Sequence, residues 1–369
     1  MSIAALKTRN RFEWRAVAPD PVAGLLAWLA AAVPFLLILM LAAALFQPVP
    51  ARAAAEEDPA CGGKDLVAGL QADNPAEYAK LKAEGDKIRN SGARLWKLEK
   101  PGQKPNWLLG TMHLSDPRVT DLPAEAQSAF DGAAVVVLES DEILDQQKAA
   151  AKLLARPDLM FFSGKESIVD HLTPDERKLL EAGLMARGMP LAAVARMKPW
   201  ILTSMVALPT CELSRKARGM AFLDMKLARD GLAAGKEVKG VETLAEQMDI
   251  VASLPMSFHV KSLIGTVKYP QYTADMMETT LQLYLKGEIG LVFPAGAYFA
   301  PEKDMNDFKD MALFEEKLIT MRNHHMADRG EPILARGNVF MAVGALHLVG
   351  DEGLVELLRK KGYTVTAVK

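Results

Sequence analysis

Trp107-Leu108-Leu109-Gly110-Thr111-Met112-His113 and Val339-Phe340-Met341-Ala342-Val343-Gly344-Ala345-Leu346-His347 are two apolar runs that each end on Gly-x-x-His. A short apolar run without polar alternation reads as a strand buried on both faces, the kind found in parallel sheets covered by helices. A strand that stops on Gly, with His three residues later, aims an imidazole out of the carboxyl edge of a sheet, where open α/β folds bind ligands. One such match carries no weight. Two, placed alike near both ends of one globular region, point to a shared site.

Other strands surround these two. Arg94-Leu95-Trp96-Lys97-Leu98-Glu99 alternates like a half-buried strand, and Pro101-Gly102 turns it into the strand at 106–109 as a hairpin. The wholly apolar run 133–138 stops at Glu139, and Glu237-Val238-Lys239-Gly240-Val241 returns as a strand that stops at Glu242. The chain closes as a helix over 352–361 and a strand over 363–368. Leu66 to Asn90 reads as one polar helical segment, and 123–130 as a short helix. From about 141 to 235 the pattern is helical, with Thr173-Pro174-Asp175-Glu176 as a helix start. These elements predict a mixed α/β fold: a central mixed sheet with two strand-Gly-x-x-His-helix units and a helical insertion over 141–235.

A further helix, 307–329, carries an apolar stripe at Met311, Phe314, Leu318 and Met321, which His325 continues while His324 falls on the polar face. Arg322 lies four residues after Leu318 and so turns inward. An inward guanidinium needs a carboxylate or an anionic ligand, because a lone buried charge is too costly.

The 369 residues are 50% hydrophobic and 24% charged, an ordinary globular composition, and the formal net charge of −2 offers no basic field for nucleic acid. Residues 1–55 differ from the rest. Lys7, Arg9, Arg11 and Arg15 precede an uncharged run from Pro21 to Pro50, long enough for a membrane span over 22–46, while Ala51-Arg52-Ala53 resembles a small-residue cleavage site. A signal peptide and a signal anchor both fit, and either places everything after about residue 55 outside the cytoplasm. The expected layout is a leader over 1–55, a linker with a helical segment over 56–92, and the main domain over 93–369. Location in the periplasm or another extracytoplasmic space follows, with anchorage to the inner membrane by 22–46 if the leader is kept. An oxidising compartment favours a disulfide between Cys61 and Cys211; two unrelated thiols are the alternative.

His113, Glu139, Glu242 and His347 each stand at or just past a strand end and converge if the strands run the same way. Two imidazoles and two carboxylates suit Zn²⁺, Mn²⁺, Co²⁺ or Fe²⁺. A metal with an open position activates water and polarises a carbonyl, and one carboxylate is then free to act as base. The plainer alternatives are helix caps for the two glutamates and edge histidines bonded to loop carbonyls. Asp116 and Asp351 read as helix or turn caps. The chain holds no His-Glu-x-x-His helix, no Gly-x-Ser-x-Gly elbow, no phosphate loop and no Cys-x-x-Cys-His.

The segments Leu95-Trp96-Lys97-Leu98, Leu109-Gly110-Thr111-Met112-His113, Val137-Leu138-Glu139, Gly240-Val241-Glu242-Thr243, Arg322-Asn323 and Gly344-Ala345-Leu346-His347, in that order, resemble the TraB/GumN family. That family is related to the Tiki metalloproteases and more distantly to erythromycin esterase and ChaN-like proteins. The resemblance implies a divalent-metal site of His113, His347 and Glu139, with Glu242 beside them and Arg322 and Asn323 around them. It further implies a metal-dependent hydrolase of the Tiki metallopeptidase kind, using Mn²⁺, Co²⁺ or Zn²⁺ on a peptide or protein substrate. Glu139, Glu242, Arg322 and Asn323 are then the catalytic set. The second reading, from the ChaN-like relatives, is a non-catalytic periplasmic metal or haem carrier that uses exposed histidines at the sheet edge.

Overall fold

β1 (Leu95–Glu99), β2 (Asn106–Thr111), β3 (Val135–Leu138), β4 (Glu237–Gly240), β5 (Val339–Gly344) and β6 (Thr364–Val368) form one mixed sheet in the order β4-β3-β5-β2-β1-β6. The structure is a computed structural model that describes residues 61–302 and 308–368. The leader expected over 1–55 lies outside the described residues. Among the described residues no single helix is long and apolar enough to cross a membrane.

β4, β3, β5 and β2 run parallel to one another, whereas β1 pairs antiparallel with both β2 and β6. The hairpin and the four further strands that the sequence predicts are all present, in a mixed α/β fold. The helices that matter for the site are α1 (Ala124–Gly132), α2 (Pro174–Met185), α3 (Pro199–Ala207), α4 (Thr210–Ala217), α5 (Leu223–Ala233), α6 (Leu244–Ala252), α7 (Met256–Lys268), α8 (Pro270–Lys286), α9 (Met321–Leu334) and α10 (Leu354–Lys360).

Helices cover both faces of the sheet, which is why its central strands are apolar throughout. Successive side chains alternate between the two faces. Leu108, Val137, Met341 and Val343 pack with Met326 and Leu334 of α9 and Leu358 of α10. Leu109, Val136, Leu138 and Phe340 pack with Phe130 of α1, Leu227 of α5 and Tyr284 of α8. Nearly all of these side chains are fully buried, each worth roughly 1.5–3 kcal/mol on removal from water.

The helical stretch expected over 141–235 divides between two neighbourhoods. α5 lies on the sheet, while Leu180 and Leu184 of α2 and Leu202 and Val206 of α3 build a separate core with Leu263 and Ile264 of α7. At the start of α2, the Thr173 hydroxyl accepts the Glu176 N–H while the Glu176 carboxylate accepts the Thr173 N–H, and Pro174 opens the first turn as predicted. The segment predicted as one helix from Leu66 to Asn90 is two helices, Leu66–Asp73 and Pro75–Asp86. Asn74 ends the first, and its side chain caps the second at Glu77 N–H just before Pro75.

The predicted stripe over 311–325 also needs correction. Met311, Phe314 and Leu318 are half-buried, but Met321 and His325 are exposed. The cause is a π-helix at Glu315–Thr320, whose extra residue rotates everything after it by about 100°. Asn323, Met326, Ala327 and Gly330 therefore face the core.

Candidate functional site

Because β2, β5, β3 and β4 are parallel, their carboxyl ends lie on one edge, and His113, His347, Glu139 and Glu242 follow those ends. Within that edge Gly344 is the centre. A Cβ built on it would lie 3.1 Å from Glu139 Oε1, 3.4 Å from His347 Cδ2 and 3.9 Å from His113 Nε2. The Gly344 N–H donates to Glu139 Oε1 at 2.7 Å, and His347 Nε2 lies 3.7 Å from the same oxygen. The other motif glycine, Gly110, serves packing: a Cβ there would meet Leu348 Cδ1 at 2.7 Å and Ala345 Cα at 2.9 Å.

Both imidazoles are held by their far nitrogen. His113 Nδ1 lies 2.8 Å from Asp224 Oδ2, and the other Asp224 oxygen accepts from the Thr111 hydroxyl at 2.8 Å. His347 Nδ1 lies 2.7 Å from Asn323 Oδ1. The Asn323 amide NH₂ donates to the Glu352 carbonyl at 2.8 Å, so its oxygen must accept and His347 must carry its proton on Nδ1. Each ring thus leaves its Nε2 on the Gly344 side, away from its holder. Neither histidine takes the loop-carbonyl alternative, and neither glutamate is a cap: Thr243 caps α6, and Asp141 precedes the turn after β3.

Arg322 bridges the two carboxylates. Its Nη2 donates to Glu139 Oε2 at 2.8 Å and to Glu242 Oε2 at 2.6 Å, and its Nε reaches both Glu242 oxygens at 3.1 Å. Gln247 Nε2 adds weaker bonds to the same pair, at 3.1 and 3.3 Å. Inward Arg322 has its carboxylate partners, as its spacing from Leu318 requires. The structure gathers His113, His347 and Glu139 around Gly344 and leaves Glu242 one layer back, against the guanidinium.

The charges separate accordingly. The Asp224 carboxylate pushes His113 up to about 9, so it is a cation at neutral pH. Burial pushes His347 down to about 4, so it is neutral. Burial alone would raise the Glu139 carboxyl, yet the imidazoles of His347 and His113, the Arg322 guanidinium and the Gly344 N–H together hold it at about 2. Burial works against the charge on Arg322, but the bond to Glu242 and the field of Glu139 and Glu242 raise its pKa still further.

Among the described residues no three His, Cys, Asp or Glu side chains are already drawn into a coordination shell. The donors fit a divalent ion nonetheless: two Nε2 atoms and one carboxylate oxygen share the space beside Gly344, and each ring is fixed by an outer partner, as metal-binding histidines usually are. His347 is only 5% exposed in its side chain against 55% for His113, so of the two rings only His113 opens to solvent.

Sequence reasoning missed Asp224 and Gln247. Asp224 stands 111 residues from its histidine in an ordinary first helical turn, and nothing local marks either residue. Asp116 caps the turn at Pro117–Thr120 as predicted, whereas Asp351 is exposed and pairs with Arg89. Cys61 and Cys211 are joined as a disulfide with a Cα–Cα distance of 5.2 Å. Next to it, buried Glu212 accepts from the Ser115 N–H (3.0 Å) and hydroxyl (2.7 Å), and Arg215 reaches Glu212 and Asp116. The loop after His113 is thereby tied to α4. In front of His113 and Glu139 opens a cleft of about 610 Å³, walled by α4, α5 and the start of α6.

The chain matches the TraB/PrgY/gumN family over residues 94–367. It is 23% identical to Metalloprotease TIKI1 of Xenopus tropicalis and 24% identical to Metalloprotease TIKI2 of Danio rerio, in each case over 315 residues covering 73% of this chain and 60% of the relative. Against human Metalloprotease TIKI1 the identity is 22% over 315 residues, 73% of this chain and 61% of the relative. The chain thus spans about three fifths of the length of these curated relatives. No solved structure matches it. With the match running from the strand before the first Gly-x-x-His to the last strand of the sheet, this chain belongs to the TraB/PrgY/gumN family.

Proposed function

We propose that this chain is a metal-dependent peptidase acting on peptide or protein substrates outside the cytoplasm, exported or held at the membrane by its leader. The observation that carries the reading is the arrangement around Gly344: two imidazoles whose Nδ1 atoms are taken by Asp224 and Asn323, with His347 Nε2 3.7 Å from Glu139 Oε1 and His113 Nε2 3.9 Å from where a Gly344 Cβ would stand. The relatives' names, all metalloproteases, support it.

His113, His347 and Glu139 would hold the ion, and their nitrogen and oxygen donors suit Mn²⁺, Co²⁺ or Zn²⁺. Bound there, a divalent ion supplies Lewis acidity toward a peptide carbonyl and toward water. The cleft seats the substrate backbone along His113 and Glu139 and keeps bulk water away on its apolar side. Glu139, held at about 2, is a ligand and not a proton acceptor. Glu242 is the remaining carboxylate; it would take the proton released by the attacking water once Arg322, which here donates to both its oxygens, moves off one of them. Arg322 commits Nε and Nη2 to the glutamates and keeps Nη1 for the anion that forms at the attacked carbonyl.

The test separates the two glutamates. Elemental content and hydrolysis of a diverse peptide library are measured on the wild type, Glu139→Gln and Glu242→Gln. Glu139→Gln loses the metal, and Glu242→Gln keeps it but loses roughly 10²–10⁴-fold in hydrolysis. The reading fails if folded wild type loaded with Mn²⁺, Co²⁺ or Zn²⁺ cleaves no peptide.

A further inference from the structure

The cleft in front of His113 is lined by the faces of two helices. On α5, Met225 and Arg229 are four residues apart and share one face, and Phe222, just before the helix, sets its ring edge-on to His113 with centroids 5.9 Å apart. On α4, Glu212 is buried against Ser115, and Lys216, one turn further on, reaches solvent. Leu208 and Met220 extend the apolar surface.

The acids of this cleft are all committed. Glu139 accepts from Gly344 and Arg322, Asp224 from Thr111 and His113, and Glu212 from Ser115 and Arg215. The exposed cations Lys216 and Arg229 make no ion pair or hydrogen bond among the described residues. The cleft therefore carries unbalanced positive charge at a defined place. Lys216 stands four residues beyond Glu212 and Arg229 five beyond Asp224, about 6–8 Å along their helices from the groups that hold the His113 loop. That is the reach of about two residues of extended peptide.

We propose that the cleft selects peptides with an apolar side chain beside the scissile bond and a carboxylate about two residues away, bound by Lys216 and Arg229. The carboxylate belongs to an Asp or Glu side chain or to the peptide's own carboxyl terminus. The selection rests on the peptidase reading, and it is tested here by binding, so that the two can fail separately.

Fluorescein-labelled peptides with a central Leu or Phe are titrated by anisotropy with the full-length chain. Each peptide carrying Asp has twins carrying Asn or Lys, and a second pair ends in a free acid or an amide. The wild type should bind one of the acidic forms roughly ten-fold more tightly than its neutral twin, with the difference shrinking as salt is added. Whether Asp or the free acid earns that difference identifies the source of the carboxylate. Lys216→Gln with Arg229→Gln should abolish the difference, and Lys216→Glu with Arg229→Glu should turn it toward the Lys twin. Both side chains are exposed, so an unchanged circular dichroism melt certifies the fold. Equal binding of all twins, binding of none, or a preference that survives in both double variants overturns the proposal. Acidic preference without cleavage under any metal removes the peptidase reading alone; cleavage without acidic preference removes this one alone.

Discussion

Replacing Arg322 with Met should damage the protein in a way that metal repairs. The side chains of Glu139 and Glu242 are 10% and 2% exposed, and Arg322, at 13%, is the cation between them. Arg322→Met keeps most of the apolar stem and removes the guanidinium, leaving two buried carboxylates with too few partners. Breaking a buried pair in this way costs roughly 3–5 kcal/mol. At roughly 2 °C per kcal/mol for a chain of this size, the melting temperature near neutral pH in EDTA should fall by roughly 6–10 °C. The pH dependence then changes. In the wild type the Glu139 carboxyl sits at about 2, below its ordinary 4.5, so its contribution is complete above that ordinary value and is lost as pH falls toward 2. In the variant Glu139 keeps the imidazoles and the Gly344 N–H but loses the guanidinium, so its carboxyl rises from about 2 and the stability lost on acidification is smaller and complete at a higher pH. Excess Mn²⁺ should also restore stability, by about 2.7 kcal/mol at a hundred-fold excess over Kd. A melt within about 2 °C of the wild type in EDTA near neutral pH would refute the account of two buried glutamates completed by Arg322.

Removing the outer holder of either histidine should weaken metal binding while leaving the donors in place: Asn323→Ala and Asp224→Asn should each lose roughly 10–100-fold in affinity by calorimetric titration. His113 is a cation below about 9 and must lose a proton to bind a metal, so the apparent Kd should fall about ten-fold per pH unit from neutrality to about 9 and then level off. His347, pushed down to about 4, adds no proton release in that range, and a slope of two protons would contradict this assignment. Gly344→Ala places a methyl 3.1 Å from Glu139 Oε1 and 3.4 Å from His347 Cδ2; it should cost roughly 1–3 kcal/mol in urea unfolding and remove metal binding, whereas native-like binding would show that the three donors do not share that space.

Much of the sheet and the placement of its strand-end residues was legible in advance, for reasons that particular residues make plain. Phe340-Met341-Ala342-Val343 is apolar on both faces because helices cover both, and that alone identifies a central strand. Parallel pairing then does the rest, since residues that end parallel strands meet whatever their separation along the chain. The Glu139 and Glu242 positions were readable for this reason, and Arg322 from the cost of burying it alone. Helix phase was less readable. The π turn at Glu315–Thr320 has no sequence mark, so Met321 and His325 were expected inside and Asn323 was placed at the site by family resemblance only. Asp224 stayed hidden because an acid in the first turn of a helix is ordinary; only the fold brings it beside His113.

The strand order carries a consequence for how the molecule comes into being. β5, flanked by β3 and β2, is the hub of the sheet, yet it is nearly the last strand in the chain. Until Val339–Gly344 has been synthesised, β1–β2 and β3–β4 are two separate ribbons, each with an open hydrophobic edge and no strand between them. Such long-range closure is slow, and ribbons waiting for it are prone to stick to one another. A chain cut before Val339 would therefore lack both the joining strand and His347, and would depend on holding chaperones. In the complete chain, β5 brings His347 with it, so the strand that joins the two ribbons also completes the candidate site.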